Sequence, residues 1–265
     1  MNDRPATSQT PAEKQSSAPK LSLFVACYNE EENVFGALTN VRDACVEIGI
    51  TYEIVVVDDG SKDRTSEVVQ SWIKQNPDVP LRLVRNPVNC GLSDGYVKAA
   101  SLATGEWFRL ICGDNVETKE TFITIFREIG SAEILLPYYV HSYGKAISRQ
   151  AISIVYTFLI NILSGYWVHY YNGMALIRRE YAVLYSEKGL GFAFQADIVT
   201  QLLDAGLSLK EIAVTTHERL GGSSSALTGR NFYCVSKVFG RILFRRFRNL
   251  FRGTPTVKTA ESKNH

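Results

Sequence analysis

The chain has no CxxC pair: its five cysteines (Cys27, Cys45, Cys90, Cys112, Cys234) are odd in number and widely spaced. This excludes a disulfide framework and a cysteine-built zinc site, and points to reduced thiols in a cytosolic compartment. No GxGxxG follows a strand-like run and no GxxxxGK[ST] occurs, so dinucleotide oxidoreductases and P-loop enzymes do not fit. Gly189-Leu190-Gly191 is too short and misplaced to count. Residues 1–20 are rich in Ser, Thr, Gln, Pro, Ala and Lys with no apolar h-region, which predicts a disordered tail and not a signal peptide. Charge is missing in two places. Gln150 to Ile177 holds no Asp, Glu, Lys or Arg, and no acid occurs between Arg219 and Thr259. The net charge of +2 singles out no partner class, and no nucleic-acid partner is expected.

What is present is globular. With 265 residues, 45% hydrophobic and 21% charged, the chain has length for a real core in one large domain or two small ones. Its most informative run is Glu53 to Thr65. The β-branched stretch Ile54 to Val57 suits a strand buried on both faces, and it stops at Asp58-Asp59-Gly60-Ser61, strong turn formers. Further strands are predicted at Leu21–Ala26, Leu81–Val84 and Trp107–Ile111, separated by helices near 31–48, 65–74 and 92–105, the second capped by Asp63 or Ser61. Such alternation predicts a doubly wound, mostly parallel α/β sheet. Glu30, Asp58, Asp59 and Asp114 each follow a strand, and strand ends of this kind converge on the ligand edge of the sheet. There they suit base and ribose hydrogen bonds and a divalent cation on a diphosphate. Beyond Glu120, a helix to about Ile129 and a strand at Glu133 to Pro137 lead into Tyr138 to Arg149, which reads as a loop. Ala151 to Val168 is long enough to raise the transmembrane question, but Asn161, Ser164 and Gly165 favour a buried or interfacial helix.

In order and spacing, Ala26-Cys27-Tyr28-Asn29-Glu30-Glu31-Glu32-Asn33, Val57-Asp58-Asp59-Gly60-Ser61, Asn89 to Lys98 and Ala103-Thr104-Gly105-Glu106 resemble the family 2 glycosyltransferases. In the second half, Asn172 to Arg179, Gly191 to Asp197, Glu211 to Val214 and Arg219 to Ser224 look like the closing motifs of dolichol-phosphate mannose synthases and related polyprenyl-phosphate glycosyltransferases. The resemblance runs from about Leu21 to Ser225 and implies a Rossmann-like GT-A domain, 21–229, using a nucleotide-sugar donor. It implies inverting transfer to a polyprenyl or dolichyl phosphate. Tyr28, Glu30, Asp58 and Asp59 would then serve the nucleotide. Asp114 would meet the metal and diphosphate, and Arg149, Arg219 and Ser224 the acceptor or its phosphate. Asp197 is a candidate general base, needed for a hydroxyl acceptor but not for a phosphate, which is largely dianionic at neutral pH.

The match departs at the metal motif. Where the family has Asp-x-Asp, this chain has Cys112-Gly113-Asp114. A neutral thiol is a poor ligand for Mg²⁺ or Mn²⁺, so use of either metal is a weakened expectation resting on Asp114 and the donor diphosphate. Pro137-Tyr138-Tyr139 also lacks the family's acceptor-loop arginines. Two alternatives therefore stay open: a saccharide or lipid hydroxyl acceptor in cell-surface polysaccharide synthesis, and a degenerate non-catalytic nucleotide-sugar-binding module. Finally, Phe232, Val235, Phe239, Ile242, Leu243, Phe247 and Leu250 fall on one face of a helix over 230–253, with Lys237, Arg241, Arg245, Arg248 and Arg252 opposite. A basic amphipathic helix of this kind predicts a peripheral site on the anionic, inner face of a membrane. Residues 254–265 form a second tail.

Overall fold

The computed structural model describes residues 18–142, 147–216 and 229–252, without the side chains of 141–149, 229–231, 250 and 252. Most of both predicted tails lies outside these residues. Pro19 and Lys20 do not: their carbonyls accept from Glu106 and Trp107, so hydrogen-bonded chain begins before residue 21. The strands are β1 Leu21–Cys27, β2 Tyr52–Asp58, β3 Leu81–Arg85, β4 Trp107–Cys112, β5 Ile134–Ser142, β6 Leu176–Arg178 and β7 Leu209–Thr216. The helices are α1 Val34–Ile48, α2 Thr65–Gln75, α3 Leu92–Leu102, α4 Lys119–Phe126, α5 Ile147–Ser164, α6 Arg179–Tyr185, α7 Phe194–Asp204 and α8 Gly229–Arg252.

One seven-stranded sheet runs in the order β3-β2-β1-β4-β6-β5-β7. Only β6 is reversed, pairing antiparallel with β4 and β5. Alternation along the central strands sends Phe24, Val55, Val57, Phe108 and Leu110 into one core layer and Leu23, Val25, Ile54, Val56 and Ile111 into the other. Burial on both faces is what the unbroken apolar runs require. The N-cap of α2 is Arg64, not Asp63 or Ser61, and Asp63 just before it accepts from the Thr65 N–H at 3.0 Å. The segment read as a loop from Tyr138 differs: β5 continues to Ser142 and pairs with β7, and α5 starts at Ile147. Its Tyr- and His-rich sequence hid a strand half-covered by aromatic packing. No helix among the described residues is long and apolar enough to cross a membrane.

The polarity of α8 is a correction. Cys234, Val238 and Ile242 are buried against the core, and Phe239 stacks on Tyr156 of α5 with ring centroids 5.9 Å apart. Two cations expected to face lipid turn inward instead. Arg245 is 9% exposed and donates to Asp197 at 2.5 Å and to Thr200 at 2.6 Å, and pairs with Asp204 at 3.3 Å. Arg241 pairs with Asp197 at 3.1 Å and with Glu187 at 2.7 Å. Its hydrogen bond holds the Glu187 carboxyl below the ordinary range. The aromatics Phe232, Tyr233, Phe244, Phe247 and Phe251 are left exposed. Because an unpaired buried charge is costly, Arg245→Met should destabilise the fold by about 3 kcal/mol. Urea unfolding checks this, and adding Asp197→Leu to Arg245→Met should recover part of the loss.

Candidate active site

The site begins with two turns at the C-terminal edge of the sheet that are bonded to each other. The Asn29 N–H donates to Ser61 Oγ at 3.0 Å, Lys62 N–H to Asn29 Oδ1 at 2.9 Å, Glu30 N–H to Thr65 Oγ1 at 2.8 Å and Glu31 N–H to Asp63 at 3.1 Å. This fixes the loop after β1 against the loop after β2, leaving Tyr28 40% exposed above a buried Glu30. Gly60 has φ +75°, and a Cβ there would lie 2.7 Å from the Val88 carbonyl carbon, so only glycine lets the β3–α3 loop approach.

Asp58 ends β2 at the C-terminal edge of the sheet, with its side chain turned inward. It is fully buried, accepts from Ser61 N–H at 2.9 Å and from the Ser66 hydroxyl, and lies 3.6 Å from Arg85 Nε. Both oxygens are engaged inside the turn, so Asp58 helps to build the edge. Asp59 is half-buried: Oδ1 accepts from Asn86 Nδ2 at 2.7 Å and Cys90 N–H at 2.9 Å, and Oδ2 from Gly91 N–H at 2.7 Å. Lys98 donates to the other end of the Asn86 amide at 2.6 Å. Asp59 thus shapes the 86–91 loop with three of the roughly four acceptor positions of a carboxylate, leaving one for a ligand.

Asp114 lies in the turn after β4, half-buried, with a long bond of 3.4 Å from Val116 N–H. Two braces hold that turn. Asn115, at φ +56°, accepts from Asn40 of α1 at 2.9 Å. Arg109, wholly buried in β4, grips Glu117 through both terminal nitrogens at 3.1 and 2.5 Å. Sequence reading missed this pair, although an arginine inside an otherwise apolar strand needs a buried partner. Burial, then Glu30, Asp58 and Asp114, pushes the Cys27 thiol up; burial, then Asp114, Glu117 and Glu30, does the same to Cys112. These shared neighbours place the carboxylates of three loops around one spot. They also keep Cys112 protonated and hence a poor ligand for a hard cation. Among the described residues no group of three His, Cys, Asp or Glu could hold a metal by itself.

Asp197, the candidate base, lies apart from this edge's turns, in α7. It is fully buried at the start of α7 and held by Arg245 and Arg241. These two ion pairs tie α7 to α8. Of the acceptor candidates, Arg149 falls in α5 but its side chain is not described, and Arg219 and Ser224 lie outside the described residues.

An acidic edge on a sheet of this topology defines a GT-A glycosyltransferase fold, and solved structures agree. Glucosyl-3-phosphoglycerate synthase from Mycobacterium tuberculosis, solved with Mn²⁺, UDP-glucose and phosphoglyceric acid, aligns with TM-score 0.63 at 13% identity, covering 84% of this chain and 80% of that one. Staphylococcus aureus TarS in complex with UDP-GlcNAc gives 0.57 at 19% identity, covering 84% and 66%. Within that class, the chain belongs to glycosyl transferase family 2, whose profile matches residues 22–184. A dolichol-phosphate mannosyltransferase of Pyrococcus furiosus is 30% identical over 145 residues, 51% of this chain and 40% of that protein. A dolichyl-phosphate beta-glucosyltransferase of Trichomonas vaginalis is 32% identical over 116 residues, 42% and 35%. The matched stretch thus spans well under half of either relative's own length.

If Asp58 is structural, Asp58→Ala should cost about 2 kcal/mol in unfolding, because buried donors lose their acceptor. Asp59→Ala should cost clearly less, since its partners lie nearer water. Paired denaturant melts of the two variants check the order.

Proposed function

We propose that the chain is an inverting glycosyltransferase that moves a sugar from a UDP- or GDP-sugar to a polyprenyl or dolichyl phosphate at the inner face of a membrane. The observation that carries this is the converging edge of Tyr28, Glu30, Asp59 and Asp114, delivered by the turns after three strands, β1, β2 and β4, and braced from behind. In this reading the exposed Tyr28 ring packs on the base, Asp59 and Glu30 accept its hydrogen bonds and those of the ribose, and Asp114 faces the diphosphate. The relatives' names, which concern polyprenyl-type phosphates, support the acceptor.

The chain's own residues fit a divalent cation in a limited way. Asp114 offers one carboxylate, and Mg²⁺ or Mn²⁺ would take its remaining ligands from the diphosphate and water. When bound, the cation would offset charge on the leaving diphosphate. The acceptor phosphate oxygen attacks the anomeric carbon from the face opposite the diphosphate. The new C–O bond forms as the bond to the diphosphate oxygen breaks, and the electron pair leaves with the nucleoside diphosphate. Such a nucleophile needs no protein base, which accords with Asp197 being tied to α8. Arg149, Arg219 and Ser224 remain assigned to the acceptor phosphate by family resemblance.

The membrane contact is redrawn around the docked helix. Phe244, Phe247 and Phe251 of α8 and Ile154, Val155, Phe158 and Ile162 of α5 are exposed on two helices that pack together. Lys237, Arg246 and Arg248 are exposed beside them. We assign these residues to the lipid interface, aromatics inserted and cations among the headgroups.

A screen of radiolabelled UDP- and GDP-sugars with undecaprenyl phosphate, with and without Mn²⁺, tests the reaction. One donor should give a lipid-linked product. Asp114→Ala should reduce its turnover by about a hundredfold, and Asp59→Ala should weaken nucleotide binding by about tenfold. Nucleotide binding without transfer to any phosphate acceptor would favour the binding-module reading. For the interface, Phe244, Phe247 and Phe251 together changed to Ser should release the protein from phosphatidylglycerol vesicles in flotation, with its melting temperature kept; unchanged flotation contradicts the assignment.

A further inference from the structure

His169 and Glu211 form a dyad that the nucleotide edge does not use. His169 precedes β6 and Glu211 lies in β7, 42 residues away. The carboxylate takes the His169 backbone N–H at 2.7 Å on Oε1 and the ring Nδ1 at 2.8 Å on Oε2. The imidazole lies flat on Tyr138, with centroids 4.7 Å apart and 16° between the planes. An ionised carboxylate only accepts, so Nδ1 carries a proton and Nε2 is the free end of the ring. Among the described residues no hydrogen bond reaches Nε2, and the His169 side chain is 67% exposed against 18% for Glu211. The ring is thus oriented at one nitrogen, stacked on one face and open at the other nitrogen.

Its place in the sheet gives this geometry a direction. Arg109 of β4 is level with Leu176 of β6, which is level with Leu135 of β5. Since β4 and β5 run the same way, Cys112 and Tyr138 reach the same height at the C-terminal edge. Gly173 seals the gap, because a Cβ there would lie 1.7 Å from the Pro137 carbonyl oxygen. Two strand spacings, roughly 10 Å, therefore separate the Tyr138 stack from the Asp114 turn. Burial, then Glu117, pushes the neighbouring Tyr139 up while Arg109 opposes them, so β5 here adjoins the brace behind Asp114. The dyad stands on the same edge as the diphosphate site, across β6 from it.

We propose that His169 is a further anchor of the acceptor phosphate beside Arg149, Arg219 and Ser224, its Nε2–H donating to a phosphate oxygen while Glu211 positions the ring and balances its charge. This rests on the polyprenyl-phosphate reading above. Neither the 150–177 segment nor Pro137-Tyr138-Tyr139 contains a Lys or Arg, so within these two segments His169 is the side chain that can become a cation, by protonation. The acceptor can bring the proton. Where the acceptor arrives as its minor monoanion, the proton can pass from P–OH to Nε2. That leaves a dianion bound to an imidazolium, a charge-assisted hydrogen bond. The freed oxygen then forms the bond to the anomeric carbon as the diphosphate departs. Tyr138 from β5 and Glu211 from β7 face the ring. Tyr171, from the ring's own segment, is pushed up to about 12 by burial and stays neutral. Glu211 makes no other ion pair among the described residues.

Calorimetry with farnesyl phosphate, in saturating UDP or GDP, tests the proposal on the full chain. Wild type should bind farnesyl phosphate at pH 6.5. His169→Gln should weaken binding about tenfold at pH 6.5 with nucleotide affinity unchanged. His169→Arg should restore binding and hold it to pH 8.5, a rescue that loss of a mere packing residue would not give. Equal binding by wild type and His169→Gln overturns the anchor, as does lost turnover with acceptor affinity intact, the mark of a general base for a hydroxyl acceptor. If wild type binds nucleotide but no farnesyl phosphate at any pH, the acceptor reading fails, and the anchor with it.

Discussion

Because β1 pairs in one register with β2 on one side and β4 on the other, Cys27 stands opposite Asp58 while Ala26 stands opposite Cys112. That alignment brings three strand ends to one height, and the acidic residues that follow them must share a small volume. Like charges so close would repel, and the surrounding chain answers with donors more than with cations. Backbone N–H groups of Ser61, Cys90 and Gly91 and the side chains of Ser66 and Asn86 engage Asp58 and Asp59. The Arg109–Glu117 pair then fixes the turn carrying Asp114 from below. The edge is held rigid with acceptor capacity left over, as binding of a nucleotide and a cation requires.

A second cluster of charge works differently. Asp197, Asp204 and Glu187 draw Arg241 and Arg245 inward, which fastens α8 to α7 and turns the helix's aromatic residues outward. One set of ion pairs therefore has two consequences. It engages the Asp197 carboxylate with two guanidiniums, and it sets an apolar surface beside α5. Both fit an acceptor that needs no deprotonation by the protein and that arrives from lipid.

The first half of the fold was legible because its signals are local. Apolar runs ending in Asp-Gly or Gly-Asp turns, and helices at 3.6-residue spacing, place β1 to β4 and α1 to α3 within a few residues of where they lie. The second half was not. β6 is only three residues long, and β5 runs on through tyrosines that resemble a loop. Helical spacing on α8 revealed an amphipathic helix but not which face turns inward, since that depends on Asp197 and Glu187 more than 40 residues away. Asp58 and Asp59 are adjacent and chemically identical, yet only the turn geometry shows that one is buried and the other is not. The His169–Glu211 pair is invisible in sequence for the same reason.

The central claim is that the edge formed by Tyr28, Glu30, Asp59 and Asp114 is a nucleoside diphosphate site. A crystal structure with UDP or GDP and Mn²⁺ tests it most directly. The account predicts the base against Tyr28 and Asp59, and the diphosphate with its cation at Asp114. A nucleotide bound elsewhere, or a diphosphate that leaves Asp114 uncontacted, would contradict it.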